Sequence, residues 1–260
     1  MSTLTITELK QCEVFAKDLV LSVAERVRTL ANSGLTRSHK GDDARNEVTT
    51  GDTDIEASLI ARLREQYPTY AIHSEESGGD IDNEHVWVID PIDGTSCFAR
   101  RIPLYATSLT LLEHNEPVLS VVMTPSISFE GTADIYSFVH GEGVTRNGMP
   151  TRTSGLTNPK EAFALVRPGR NADIQPWAFR IIEAFTRGAV SKVANFGSSA
   201  HDLCLLATGS VDVVIYGTMT TLDIAGAIAM VRANGGEVYS KDGTPVTVSN
   251  ESQPIVAVAT

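Results

Sequence analysis

Val86-Trp87-Val88-Ile89-Asp90-Pro91-Ile92-Asp93-Gly94-Thr95-Ser96 is an apolar strand that runs into two carboxylates, a proline and a Gly-Thr-Ser opening. Proline cannot donate to a strand ladder, so the pattern predicts a strand over 86–89 and a turn at Asp90-Pro91. The turn leaves Asp90 and Asp93 free to converge. Gly94, Thr95 and Ser96 then read as a helix start whose unpaired N–H groups face outward, an arrangement that favours a phosphate oxygen. An ordinary Asp-Pro/Asp-Gly turn with solvated carboxylates fits the same short string, so the reading depends on what surrounds it.

Working outward, Tyr70-Ala71-Ile72 predicts another short strand, and Glu75-Glu76 follows it as Asp90 follows its own. Ligands of open layered sheets gather at such strand exits. Asp52 stands where a helix over 53–66 is expected to begin, with Ile55, Leu59, Ile60 and Leu63 inward. Before it, Leu9, Val14, Phe15, Leu19, Val23, Val27 and Leu30 predict a long amphipathic helix over 6–30. The polar stretch 36–46 between the two helices reads as a mobile loop that can fold over the site as a lid. Strands are expected at 107–112 and 118–122, joined through His114-Asn115. From about Gly155 the two element types alternate: strands at 163–166, 211–215 and 255–258, helices at 176–185, 199–207 and 222–233. Asp223 begins the last helix on this reading. Alternation of this kind implies layers of sheet and helix, divided into an N-terminal half, 1–154, and a C-terminal half, 155–260.

The chain has 260 residues, 42% of them hydrophobic, enough for an ample core. Its net charge is −11, and its basic residues form no block longer than Arg100-Arg101, which argues against a nucleic-acid polymer or an anionic membrane as partner. Cys12, Cys97 and Cys204 are three cysteines at wide spacing, unlike a zinc site or a disulfide framework, and point to a reducing cytoplasm. The N-terminus lacks the basic start and apolar run of an export signal. His201-Asp202 lies in a helical pattern without partner histidines, and Asp80, Asp82 and Glu84 lack the glycine and closing glutamate of a calcium loop. Gly141-Glu142-Gly143 lacks the strand–helix context of a nucleotide fingerprint.

The acids recur at element boundaries with no His or Cys among them. Oxygen-only ligation suits Mg²⁺ or Mn²⁺ and argues against zinc or copper. Two such ions ~4 Å apart can clamp a phosphate and polarise water. They would also let an acidic protein attract an anion.

Three motifs together, Ser74-Glu75-Glu76-Ser77, Asp90-Pro91-Ile92-Asp93-Gly94-Thr95 and Leu222-Asp223-Ile224-Ala225-Gly226-Ala227 followed by Gly235-Gly236, resemble the inositol monophosphatase family over nearly the whole chain. That family lies within the lithium-sensitive, magnesium-dependent phosphatases, which include fructose bisphosphatases and bisphosphate nucleotidases. The resemblance implies a five-layer αβαβα sandwich, usually a homodimer. It implies that Glu75, Asp90 and the Ile92 carbonyl hold a first Mg²⁺, that Asp90, Asp93 and Asp223 hold a second, and that Asp52 binds a third through water alongside Glu75. Thr95, with Glu75 or Asp52, would orient the attacking water, and the N–H groups of Gly94 and Thr95 would hold the phosphate. Ser198 and Ser199 fall where family members contact the organic part of the substrate, as does Asp93.

Departures from the family pattern leave every metal carboxylate in place. Leu222 replaces a tryptophan, Cys97 an asparagine and Ser74 a glycine. Tyr216 stands where inositol-specific members place an acid against ring hydroxyls, which makes Tyr216 a candidate substrate contact. The expected activity is hydrolysis of a small inositol-phosphate-like or sugar-phosphate-like monoester. Histidinol phosphate and 3′(2′),5′-bisphosphate nucleotides are alternative substrates, and a metal- and phosphate-binding scaffold without turnover is the non-enzymatic alternative.

Overall fold

The computed structural model describes residues 3–33, 37–39, 47–126 and 133–259. In chain order the helices are α1 (Ile6–Ser33), α2 (Thr50–Gln66), α3 (Thr95–Phe98), α4 (Gln175–Ala184), α5 (Ser199–Ala207) and α6 (Ala225–Ala233). The strands begin with β1 (Arg37–His39), β2 (Glu47–Thr49), β3 (Ala71–Ser74), β4 (His85–Asp93), β5 (Ala106–Glu113), β6 (Glu116–Pro125) and β7 (Ala133–Val139). They continue with β8 (Gly143–Arg146), β9 (Met149–Pro150), β10 (Phe163–Arg167), β11 (Lys192–Ala194), β12 (Val213–Thr220), β13 (Glu237–Tyr239) and β14 (Ser252–Val258).

The strands β3 to β9 form one sheet in sequence order, antiparallel except where β3 meets β4. A second sheet has the order β11-β10-β12-β14-β13, with β10 parallel to both its neighbours. Helices α1 and α2 cover the outer face of the first sheet, α5 and α6 lie between the sheets, and α4 covers the outer face of the second. This is the expected five-layer order.

Side-chain alternation explains the layering. Along β4, Trp87 and Ile89 enter the core shared with α1 and α2, while Val86 and Val88 meet Leu222 and Ala225 on the opposite face. The central layer is filled by Leu203, Leu206, Ile228, Val231 and their neighbours on α5 and α6, packed against residues of both sheets.

Several elements differ from the sequence reading. β4 does not stop at Ile89 but runs through Pro91 to Asp93, because the register with β5 shifts between Asp90 and Asp93. A bulge accommodates the proline that a regular ladder would exclude. Helix α6 begins at Ala225 rather than Leu222; Leu222 N–H instead bonds Ser249 O at 3.0 Å, and Asp223 lies in the preceding turn. Asp52 lies inside the first turn of α2, which starts at Thr50. Within the stretch read as a lid, 37–39 form a strand paired antiparallel with 47–49; Thr36 and 40–46 lie outside the described residues. Strands β7, β8, β9, β11 and β13 were not expected. Among the described residues no helix is long and apolar enough to cross a membrane.

Gly226 sets how closely α6 approaches the first sheet. A Cβ there would lie 2.0 Å from Ser120 Oγ and 2.4 Å from both Ser120 Cβ and Thr110 Oγ1. Gly226→Ala is therefore expected to destabilise the fold by about 1–3 kcal/mol through overpacking. Urea denaturation checks this, and a midpoint equal to that of the parent protein contradicts the packing assigned to α6.

Candidate active site

The bulge in β4 is the centre of the site. Pro91 O accepts a 2.8 Å hydrogen bond from the buried Thr107 hydroxyl, which fixes the bulge to β5. Asp90 is 4% exposed, and its Oδ1 has no hydrogen-bond partner among the described residues. Burial pushes the Asp90 pKa well above the ordinary carboxylate value, and the charges of Glu75, Asp93, Asp223 and Asp52 push it further. Those four acids are therefore electrostatic neighbours of Asp90 despite coming from four different places in the chain.

Each neighbour is positioned by its own element. Glu75 N–H bonds Ile89 O at 3.0 Å, extending the β3–β4 ladder by one residue and setting Glu75 beside the end of β4. The turn that follows is tied to α2, since Glu56 accepts hydrogen bonds from Ser77 N–H at 3.0 Å and Ser77 Oγ at 2.8 Å. One turn before Glu56 on that helix, Asp52 is fully buried behind Thr95 and does not itself line the cavity. Thr95 Oγ1 donates within 3.4 Å of Asp52 Oδ1 and 3.1 Å of Ile92 O. Asp223 is delivered by the turn before α6, where Thr221 Oγ1 accepts from Ser249 N–H at 2.8 Å and Leu222 packs against β4.

Asp93 ties the end of β4 to the start of α5. Its Oδ2 accepts from Ser198 Oγ at 2.6 Å and from Ala200 N–H at 2.7 Å, at the N-terminus of α5. Burial raises its pKa; the Arg167 guanidinium and these hydrogen bonds pull in the opposite direction. Gly94, at φ +86, opens the short helix α3. A Cβ on it would lie 2.9 Å from Leu104 O and 3.1 Å from Ser198 Cβ, so the tight approach and the backbone angle both require glycine.

Glu75, Asp90, Ile92, Asp93, Gly94, Thr95, Ser199 and Asp223 all line one cavity of about 400 Å³. The structure thus brings together the strand-exit acids singled out from sequence. Among the described residues no three Asp, Glu, His or Cys side chains form a ready-made metal cluster, so these acids border a shared space without closing on a point. Their chemistry nevertheless fits a hard cation: carboxylate and carbonyl oxygens only, with one buried carboxylate oxygen left without a partner.

Two expected substrate contacts stand elsewhere. Ser198 is fully buried, caps α5 by accepting from His201 N–H at 3.3 Å, and spends its hydroxyl proton on Asp93; it does not line the cavity. Tyr216 is also buried, at 1% exposure, with its hydroxyl donating to Asp202 Oδ2 at 3.0 Å. It lies under the Arg167 guanidinium, 4.7 Å from ring centroid to carbon, and supports the wall instead of forming it. Asp202 beneath it is pushed up to about 7 by burial.

The sequence reading missed Arg167, Arg170, Asn195 and Met219, which also line the cavity. The available signal for the first two was their position at the exit of β10, the same rule that identified Asp90 and Glu75.

Comparison with known proteins gives the chain's relatives. A model of the Inositol monophosphatase family matches residues 8–259. Inositol-1-monophosphatase of Synechocystis is 30% identical over 241 residues, covering 90% of this chain and 80% of that protein. Human inositol monophosphatase 2 is 28% identical over 247 residues, covering 91% and 83%. Among solved structures, the extragenic suppressor protein suhB of Bartonella henselae superposes with a TM-score of 0.84 at 23% identity, covering 95% of this chain and 93% of that one. A family model over residues 8–259 and a relative 30% identical across most of both chains establish it: the chain belongs to the inositol monophosphatase family.

Proposed function

We propose that this protein is a magnesium-dependent phosphatase that hydrolyses a small phosphate monoester by direct attack of water, without a phosphoenzyme. The observation that carries the reading is Asp90, a buried carboxylate with an unpartnered oxygen amid four acidic neighbours. A buried carboxylate oxygen left without a partner is costly, and a divalent cation is the counter-charge its chemistry selects. Family membership supports the phosphatase activity.

On this reading Glu75, Asp90 and the Ile92 carbonyl hold one Mg²⁺, Asp90, Asp93 and Asp223 a second, and Asp52 with Glu75 a third through water; Mn²⁺ suits the same oxygens. Residues 1–154 thus supply most ligands and 155–260 complete the set. Bound ions of this kind neutralise phosphate charge and acidify water. The chain's own groups do the positioning. Thr95 donates toward Asp52 and, with Asp52 or Glu75 as proton acceptor, aligns the attacking water. The N–H groups of Gly94 and Thr95 at the start of α3 face the phosphate. Ser198 and Ala200 N–H hold the Asp93 carboxylate in one rotamer. A cytoplasmic homodimer is the assembly and setting that family membership suggests.

Phosphate release from a panel of inositol, sugar, histidinol and nucleotide phosphates is expected to require Mg²⁺ and to be inhibited by Li⁺. Saturable metal binding with no release from any of them would favour the scaffold alternative. Asp93→Asn retains an oxygen for Ser198 and Ala200 N–H, so its circular dichroism is expected to match the parent while turnover falls about a hundredfold or more; near-parental turnover would remove Asp93 from the chemistry. Ser198→Ala is expected to lower turnover less than Asp93→Asn and to cost about 0.5–2 kcal/mol of stability through the lost cap, read by steady-state kinetics and urea denaturation.

A further inference from the structure

The stretch Gly197-Ser198-Ser199-Ala200, which leads into α5, is gripped alternately by two charges of opposite sign. Arg167, the last residue of β10, donates from Nη1 to Gly197 O at 3.4 Å and is bonded through Nη2 to Ser199 Oγ. Asp93, the last residue of β4, accepts from Ser198 Oγ at 2.6 Å and from Ala200 N–H at 2.7 Å. Contacts that alternate along 197–200 place the guanidinium and the carboxylate as neighbours on one piece of backbone, and both residues line the cavity.

The cation is held from its other side as well. Arg167 and Tyr216 are opposite one another in the β10–β12 register, and the guanidinium carbon lies 4.7 Å from the centre of the Tyr216 ring. The ring is fixed in turn by its hydroxyl, which donates to Asp202 Oδ2 at 3.0 Å. A guanidinium does not lose its proton in a protein, so this wall of the cavity carries a permanent positive charge.

That charge reaches the acids unevenly. Burial is the largest influence on Asp93 and raises its pKa, while Arg167 is the strongest influence opposing it, ahead of the hydrogen bonds from Ser198 and Ala200. At Asp202 burial again dominates and Arg167 again opposes it. At Asp90 the influences that follow burial are carboxylates: Glu75, Asp93, Asp223 and Asp52. Compensation within the acid cluster is therefore one-sided, since Asp93 has a resident cation beside it and Asp90 has an oxygen without a partner. A metal ion placed against Asp93 has to share that carboxylate with Arg167 and to lie in the field of a like charge.

We propose that Arg167 is a built-in counter-charge to Asp93 that competes with the bound metal ion, so that the metal position bordered by Asp93 holds its ion more weakly than the same acids would without it. This role rests on the metal-binding part of the phosphatase reading and assigns the residue that sets the strength of that binding. Before metal enters, Arg167 compensates one of the gathered acids; once metal is bound, it opposes the ion and favours its exchange. Arg167 acts through Asp93 and is a positioning residue, held in place by Tyr216 and Asp202.

Titration calorimetry tests it on the whole chain, stripped of metal with a chelator and transferred to chelator-free buffer at mildly alkaline pH, with Mn²⁺ as the probe. Arg167→Gln keeps an N–H donor for Ser199 without the charge, Arg167→Met is a second neutral variant, and Arg167→Lys keeps the charge without the fork. The neutral variants are expected to bind Mn²⁺ about threefold or more tightly than the parent, as relief of repulsion between partly screened charges requires, and Arg167→Lys to stay close to the parent. Urea denaturation gives a second readout. The neutral variants are expected to be less stable than the parent without metal and to recover toward it in excess Mn²⁺, because tighter binding adds stability. Weaker binding in the neutral and Lys variants alike would reduce Arg167 to a brace for the start of α5 and overturn the proposal, as would unchanged affinity in the neutral variants; either result leaves the metal reading standing. A parent protein that takes up no Mn²⁺ overturns the metal reading and the counter-charge role with it.

Discussion

The constraint that organises this protein is the gathering of like charges around a buried carboxylate. Asp90 lies at the end of an apolar strand with Glu75, Asp93, Asp223 and Asp52 close enough to raise its pKa. Nothing in an apolar core favours that arrangement, since a buried charge without compensation is expensive. The fold therefore has to hold the acids together against their mutual repulsion. It does so with neutral donors for Asp93, with the Thr95 hydroxyl beside Asp52, and with rigid backbone turns under Glu75 and Asp223. The stability of the surrounding layers is what permits the strain at the centre.

The layered architecture supplies this hold because three of its five layers each deliver one or more acids. Sheet hydrogen bonds carry Glu75 and Asp90 on adjacent strands, α2 carries Asp52, and the turn before α6 carries Asp223. The close approach at Gly226 sets the depth of α6, while Leu222 packs the preceding turn onto β4. Asp93 then joins the end of β4 to the layer between the sheets by accepting hydrogen bonds from the start of α5. Packing residues far from any reacting atom thus determine whether the carboxylates meet.

Much of this was legible in the sequence, for reasons that also explain what was not. Apolar periodicity located the long helices and the central strands, and the strand-exit rule picked out Asp90 and Glu75. The end of β4 was misread because a bulge lets Pro91 remain in the strand, and a bulge is a property of the partner strand as much as of the proline. Leu222 and Asp223 fit a helical period, yet hydrogen bonds to Ser249, twenty-seven residues beyond Leu222, hold them outside the helix. Tyr216 was drawn to the substrate by its place in a family pattern, whereas its neighbours bury it beneath Arg167. Arg167 follows a predicted strand as Asp90 and Glu75 do, but the rule was applied to acids alone, and its place beside them shows only when the exit of β10 meets the exit of β4 across the cavity.

Anomalous diffraction from crystals soaked in Mn²⁺ tests the central claim most directly, because it locates cations without assuming any reaction. The account predicts at least one peak within coordinating distance of Asp90 and Asp93, with Asp223, Glu75 or the Ile92 carbonyl completing the shell. A cavity that contains no peak while its carboxylates point into separate regions of solvent would contradict it.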